Sequence, residues 1–152
     1  MAGSSGLRIV AVHTIANGAT GAADEWVAIA NDGPESWFDH DWELCLEHEK
    51  LDSDLAYRLP LLIPGEAGWW TFDPGEVIFV FTGEGADRYV PSPSPGRRPQ
   101  FQFHWGRSEP VWDRPGRRII LRSADGTLVA EPFLLPGGVP ATAAAKGSAS
   151  RV

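Results

Sequence analysis

Apolar residues along this chain alternate with polar ones or come in short runs, and Gly, Pro, Asn and Asp interrupt them every few positions. A period of two marks strands with one buried face, whereas an amphipathic helix repeats at three and four. LRIVAVHTI (7–15) reads as a strand, NGATGAAD as a loop, and EWVAIAN (25–31) as a strand with Val27 and Ile29 on one face and Trp26, Ala28 and Ala30 on the other. DWELCLEH (41–48) puts Trp42, Leu44 and Leu46 on one face and Glu43, Cys45 and Glu47 on the other, which predicts partial exposure for Cys45. LAYRLP (55–60) is a short strand closed by Pro60, which has no N–H to donate to a ladder. GEVIFVFTG (75–83) is dense in β-branched and aromatic residues, as a central strand is. GEGADRYVPSPSPGRRP (83–99) reads as one long loop, followed by a strand in FQFHW. Asp125-Gly126 between RIILRS and TLVAEP predicts a hairpin, because Gly accepts the positive φ such turns require.

Seven to nine short strands over about 130 residues predict an all-β, antiparallel β-sandwich. One domain over 7–135 is expected, with a disordered start at 1–6. A disordered Ala/Gly/Ser-rich tail is expected at 136–152, which holds no large apolar residue beyond two valines.

Composition fits this reading. The 152 residues include seven Trp, 17 Gly and 13 Pro: enough apolar area for a core, and many turns. A net charge of −7 argues against nucleic acid as a partner, because phosphate binding wants a basic face. Eleven Arg against two Lys (Lys50 and Lys146) reads as codon bias. A single cysteine, Cys45, allows no internal disulfide. The start MAGSSGLRIVAV has no basic n-region and no long apolar stretch. No apolar run approaches membrane-spanning length. As written, the chain is expected in the cytoplasm, or outside the cell if a leader precedes it.

Five motifs occur in order: EWVAIAN, WEL at 42–44, YRLP at 57–60, FDPGEV at 72–77, and PVWDRPGRRIILRSADG at 110–126. Their order and spacing resemble the lamin tail domain over roughly residues 7–133. The resemblance implies an immunoglobulin-like sandwich with an interaction or scaffolding role and no catalytic machinery. Bacterial members are often attached to secreted enzymes or surface proteins. Two departures stand out. Gly116-Arg117 occupies a place where the family often has Gly-Asp. LLIPGEAGWW (61–70) lengthens the usually short connection between YRLP and FDPGEV, and its adjacent Trp69 and Trp70 point to opposite faces if the backbone there is extended.

Candidate chemistry is sparse. Asp39, His40, Asp41 and His48 are possible metal ligands, but their spacing matches no zinc pattern and a solvated turn explains them better. Cys45 with one of His13, His40, His48 or His104 would make a nucleophile–base pair, yet lone cysteines are usually inert. Asp24, Glu25, Glu47, Glu49, Asp52 and Asp54 read as solvating charge. In FQFHWGR, Phe101 and Phe103 are expected in the core. Trp105 beside Arg107 makes a stacking platform for a sugar or peptide, against the simpler reading that His104 and Arg107 cap the strand. Arg97 and Arg98 keep an exposed loop soluble or attract an acidic partner.

The expectation is a non-catalytic module without cofactor or metal. It binds a protein partner or a second copy of itself through its loops and the Trp69/Trp70 insert, with Trp105 and Arg107 as further contacts, and binds neither membrane nor nucleic acid. Two other readings stand beside it. A carbohydrate-binding sandwich would need Trp69, Trp70 and Trp105 exposed and coplanar. A small metal-dependent hydrolase would need a cleft with perturbed carboxylates.

Overall fold

The computed structural model describes residues 6–38, 41–51, 53–91 and 98–135. Among the described residues, nine strands form two sheets packed face to face. They are β1 (Leu7–His13), β2 (Trp26–Asn31), β3 (Trp42–Leu46), β4 (Tyr57–Arg58), β5 (Val77–Phe81), β6 (Arg88–Val90), β7 (Gln100–His104), β8 (Arg118–Ser123) and β9 (Phe133–Leu134). The first sheet has the order β1-β2-β5-β7-β6 and the second β4-β3-β8-β9. The β-sandwich expected from the alternation is therefore present. Among the described strands all pairings are antiparallel except β5 with β7, which is parallel.

Alternation sets which side chains meet between the sheets. Val27 and Ile29 of β2 and Ile78 and Val80 of β5 join Trp42 and Leu44 of β3 and Ile119 and Leu121 of β8 in one apolar core. Trp42 packs edge-on against both Trp37 and Phe72. Tyr57 and Leu59 turn inward while Arg58 turns out, as the period of two requires. Phe101 and Phe103 of β7 fill the core, as expected.

Five features differ from the sequence expectation. Residues 83–99 are not all loop, since Arg88–Val90 pairs with β7 as β6. Gly6, expected in the disordered start, accepts a hydrogen bond from the Asp32 N–H at 2.9 Å. Cys45 is fully buried: the Arg122 guanidinium on the same face donates to the carbonyls of Glu49 and Lys50, folding the segment after β3 back over it. Glu25 is buried rather than solvating, and Glu43 lies buried between Arg58 at 3.1 Å and Arg122 at 2.9 Å. Lastly, the Asp125-Gly126 turn forms, with Gly126 at φ 90°, but its second arm makes a single bridge at Leu128 before β9 resumes the pairing.

Residues 1–5 and 136–152, most of the two expected terminal segments, lie outside the described residues, as do Asp39, His40, Asp52 and Arg97. Among the described residues no helix is long and apolar enough to cross a membrane.

Candidate functional site

The insert 61–70 is a small excursion held at three points. Leu59 precedes it into the core, Ile63 is buried midway, and Trp70 is buried at its end. A turn closed by the Glu66 N–H donating to the Ile63 carbonyl at 3.0 Å reverses the chain, and Leu62 bridges Trp69 across it. Gly68, at φ 71°, takes the left-handed conformation that a β-carbon disfavours and delivers the chain into the two tryptophans.

Trp69 and Trp70 then separate. Trp70 is 7% exposed; its indole N–H donates to the Pro60 carbonyl at 2.7 Å and its ring packs 4.7 Å from Phe101 and 5.2 Å from Phe103. Trp69 is 65% exposed, and Leu62, which bridges it across the turn, is exposed as well. The two residues expected as a contact pair therefore differ in exposure, because extended backbone sends adjacent side chains opposite ways and only Trp70 finds the core. Contiguous apolar side chains left in water mark a contact surface more often than scattered ones do.

A cleft of about 300 Å³ opens between this insert and the first sheet. Trp69 stands at its wall, Trp70, Tyr89 and Phe101 contribute further rings, and Glu66, Asp73 and Glu76 supply carboxylates. Glu76 is held at both oxygens. The Asp73 N–H donates to Oε1 and the Tyr89 hydroxyl to Oε2, each at 2.7 Å. Burial raises the Glu76 carboxyl above its ordinary value, while those two hydrogen bonds pull it down and the Asp73 charge adds to the rise. Burial, together with the hydrogen bond to Glu76, pushes the Tyr89 phenol up to about 12, so it stays protonated and donates at neutral pH. Asp73 in turn accepts from the Ser36 hydroxyl at 2.7 Å.

Sequence reading missed this group. Asp73 and Glu76 belong to FDPGEV, read there only as a signature of fold, and Tyr89 sits in the stretch read as loop. An available signal was Tyr-Val after a charged pair, which fits a short edge strand.

The other candidate contacts lie elsewhere. Trp105 is half-buried, packed 5.6 Å from Tyr57 and 5.9 Å from Trp112. The Arg107 guanidinium lies over its ring at 5.2 Å and donates to the Asp54 carbonyl at 3.2 Å. One face of Trp105 is therefore covered by the chain's own cation. Trp69 and Trp70 both line the cleft, and Trp105 does not, so the three tryptophans do not form one platform.

A second aromatic row runs over the outer face of the first sheet. His13 lies 5.8 Å from Trp26, Trp26 meets Phe79 edge-on at 5.3 Å, and Phe81 stacks on His104 at 5.0 Å. Asp87 fixes the His104 end, its carboxylate accepting the His104 backbone N–H at 2.8 Å.

The remaining groups are placed for structure. Glu25 accepts from the N–H groups of Val111 and Trp112 at 2.8 and 3.2 Å and from the Thr82 hydroxyl at 2.7 Å, tying three distant segments together. Asp24 accepts from the N–H groups of Thr20 and Gly21. The Cys45 thiol, pushed up to about 11 chiefly by burial, stays protonated at neutral pH. Arg98 donates to the Gly75 carbonyl and pairs with Asp32 at 3.0 Å. Asp41 pairs with Arg58 at 2.6 Å, and His48 is exposed. Among the described residues no three His, Cys, Asp or Glu side chains are grouped to hold a metal ion.

No protein-family model matches this chain, and no curated protein matches it.

Proposed function

We propose that the chain is a non-catalytic interaction module, an immunoglobulin-like sandwich of lamin-tail type that binds a protein partner through the insert carrying Trp69. The observation that supports it is the pairing of a rigid base with an exposed ring. Trp70, Ile63 and Leu59 anchor the insert in the core while Trp69, Leu61 and Leu62 remain in water. A large apolar side chain held rigidly loses little conformational freedom on binding, which is why aromatic anchors dominate interface energies. The kinship with lamin tails rests on the five ordered motifs, with the insert as this chain's own addition.

The experiment is an affinity comparison. Wild-type chain and Trp69→Ala, both immobilised, are exposed to extract of the source cells, and retained proteins are identified and then re-tested in purified form. The expected result is a discrete protein retained by wild type and lost with Trp69→Ala, or a concentration-dependent dimer lost in the same variant. Identical retention and identical sedimentation for the two chains would overturn the reading.

A further inference from the structure

We infer that the cleft beside Trp69 receives the cationic side chain of a lysine or arginine on the protein partner. This deepens the contact-surface reading and rests on it.

Size comes first. A space of about 300 Å³ is at the lower end of small-ligand sites, which run from about 300 to 1,000 Å³, so it suits one long side chain better than a larger ligand. The walls then select the chemistry. Rings of Trp69 and Tyr89 line the space, and Glu66, Asp73 and Glu76 carry the charge, with no Lys, Arg or His among the described residues that line it. A cation over an aromatic face gains from the ring quadrupole, most strongly with Trp. An anion would meet three carboxylates, and a neutral apolar chain would strip water from them without replacing it.

The arrangement is built before any ligand arrives. The Asp73 N–H and the Tyr89 hydroxyl fix the Glu76 carboxylate in place, so an incoming ammonium finds oriented acceptors rather than mobile ones. Lysine and arginine also bring an aliphatic stem, which the exposed Trp69 ring can cover. The net charge of −7 draws basic partners toward the whole surface, and the cleft gives that attraction a place to end.

The test uses the full chain and four small probes at millimolar concentration: N-acetyl-lysine methylamide, its trimethylammonium form, N-acetyl-arginine methylamide, and a neutral analogue with a tert-butyl group in place of trimethylammonium. Binding is followed by NMR through the indole N–H of Trp69 and the backbone amides of Gly68 and Asp73. Saturable shifts with the cations are expected, with the neutral analogue about tenfold weaker. Glu66→Gln, at an exposed position, should weaken cation binding and leave the spectrum otherwise unchanged. Equal affinity for the neutral analogue would overturn cation recognition and leave Trp69 as an apolar contact. No saturable shift with any cation would also overturn it, and the Trp69→Ala retention experiment would then decide the contact surface on its own.

Discussion

Trp69 and Trp70 are joined by one peptide bond and lie in different media: the first is 65% exposed, the second 7%. Their roles separate in a stability measurement. Trp70→Ala removes a core indole and its hydrogen bond to Pro60, at a cost of about 3–5 kcal/mol. Trp69→Ala removes little buried area, and its cost should stay within about 0.5 kcal/mol. Urea unfolding of both variants reads this difference directly; comparable losses would place Trp69 in the core as well.

Glu25 is the second point of tension. It is the most enclosed carboxylate of the first sheet's rim and holds Val111, Trp112 and Thr82 together across more than 80 positions of sequence. Glu25→Ala leaves two buried backbone N–H groups without their acceptor, and each such orphan costs about 1–3 kcal/mol. The expected outcome is a destabilisation of at least about 3 kcal/mol by denaturant titration, with the 110–112 segment losing hydrogen-exchange protection first. Loss of protection spread evenly over both sheets would mean that Glu25 does not pin that segment.

Cys45 offers a chemical check on the buried face of β3. A thiol raised to about 11 and shut away from solvent reacts slowly with alkylating reagents at pH 8. Labelling with iodoacetamide should proceed only as fast as the protein unfolds and should accelerate sharply in denaturant. Rapid labelling of the native chain would show that the segment after β3 does not cover it.

Much of the architecture was legible because one period carried it. Val27, Ile29, Trp42, Leu44 and Leu121 lie where alternation puts them, and Pro60 ends β4 where its missing N–H requires. What was not legible depends on chain segments far apart in sequence. Alternation assigns Cys45 and Glu43 to the outer face but cannot show that Arg122 pulls the following loop over them. β6 is three residues long, too short for a period to register, and it exists because β7 offers an open edge. The cleft joins Glu66, Asp73 and Glu76 to Tyr89 through that same short strand, so its acidic and aromatic members appear in sequence only as unrelated motifs.

The raised Glu76 carboxyl predicts a specific pH dependence. Its neighbours are the Asp73 carboxylate and N–H, the Tyr89 hydroxyl, and Arg98, which donates to the Glu76 carbonyl rather than to the carboxylate. The folded chain holds the Glu76 proton more tightly than the unfolded chain, whose pKa is about 4.3. Its contribution to stability is therefore complete below that value and lost as pH rises through the folded pKa. Comparing wild type with Glu76→Gln cancels the other carboxylates: the Tm difference should move in favour of wild type as pH falls from about 7 to about 4. A difference moving the other way would mean that hydrogen bonding outweighs burial at this site.

The most direct measurement of Trp69 as the contact residue is site-specific photo-crosslinking from inside the source cells. A benzophenone side chain is placed at position 69 in one chain and at position 134 in another, because Leu134 is exposed to a similar degree, 62%, on an edge strand of the second sheet. A discrete adduct from position 69, absent from position 134 and reduced by Glu66→Gln, is the expected result. Adducts of equal yield and identity from both positions, or none from position 69, would contradict it.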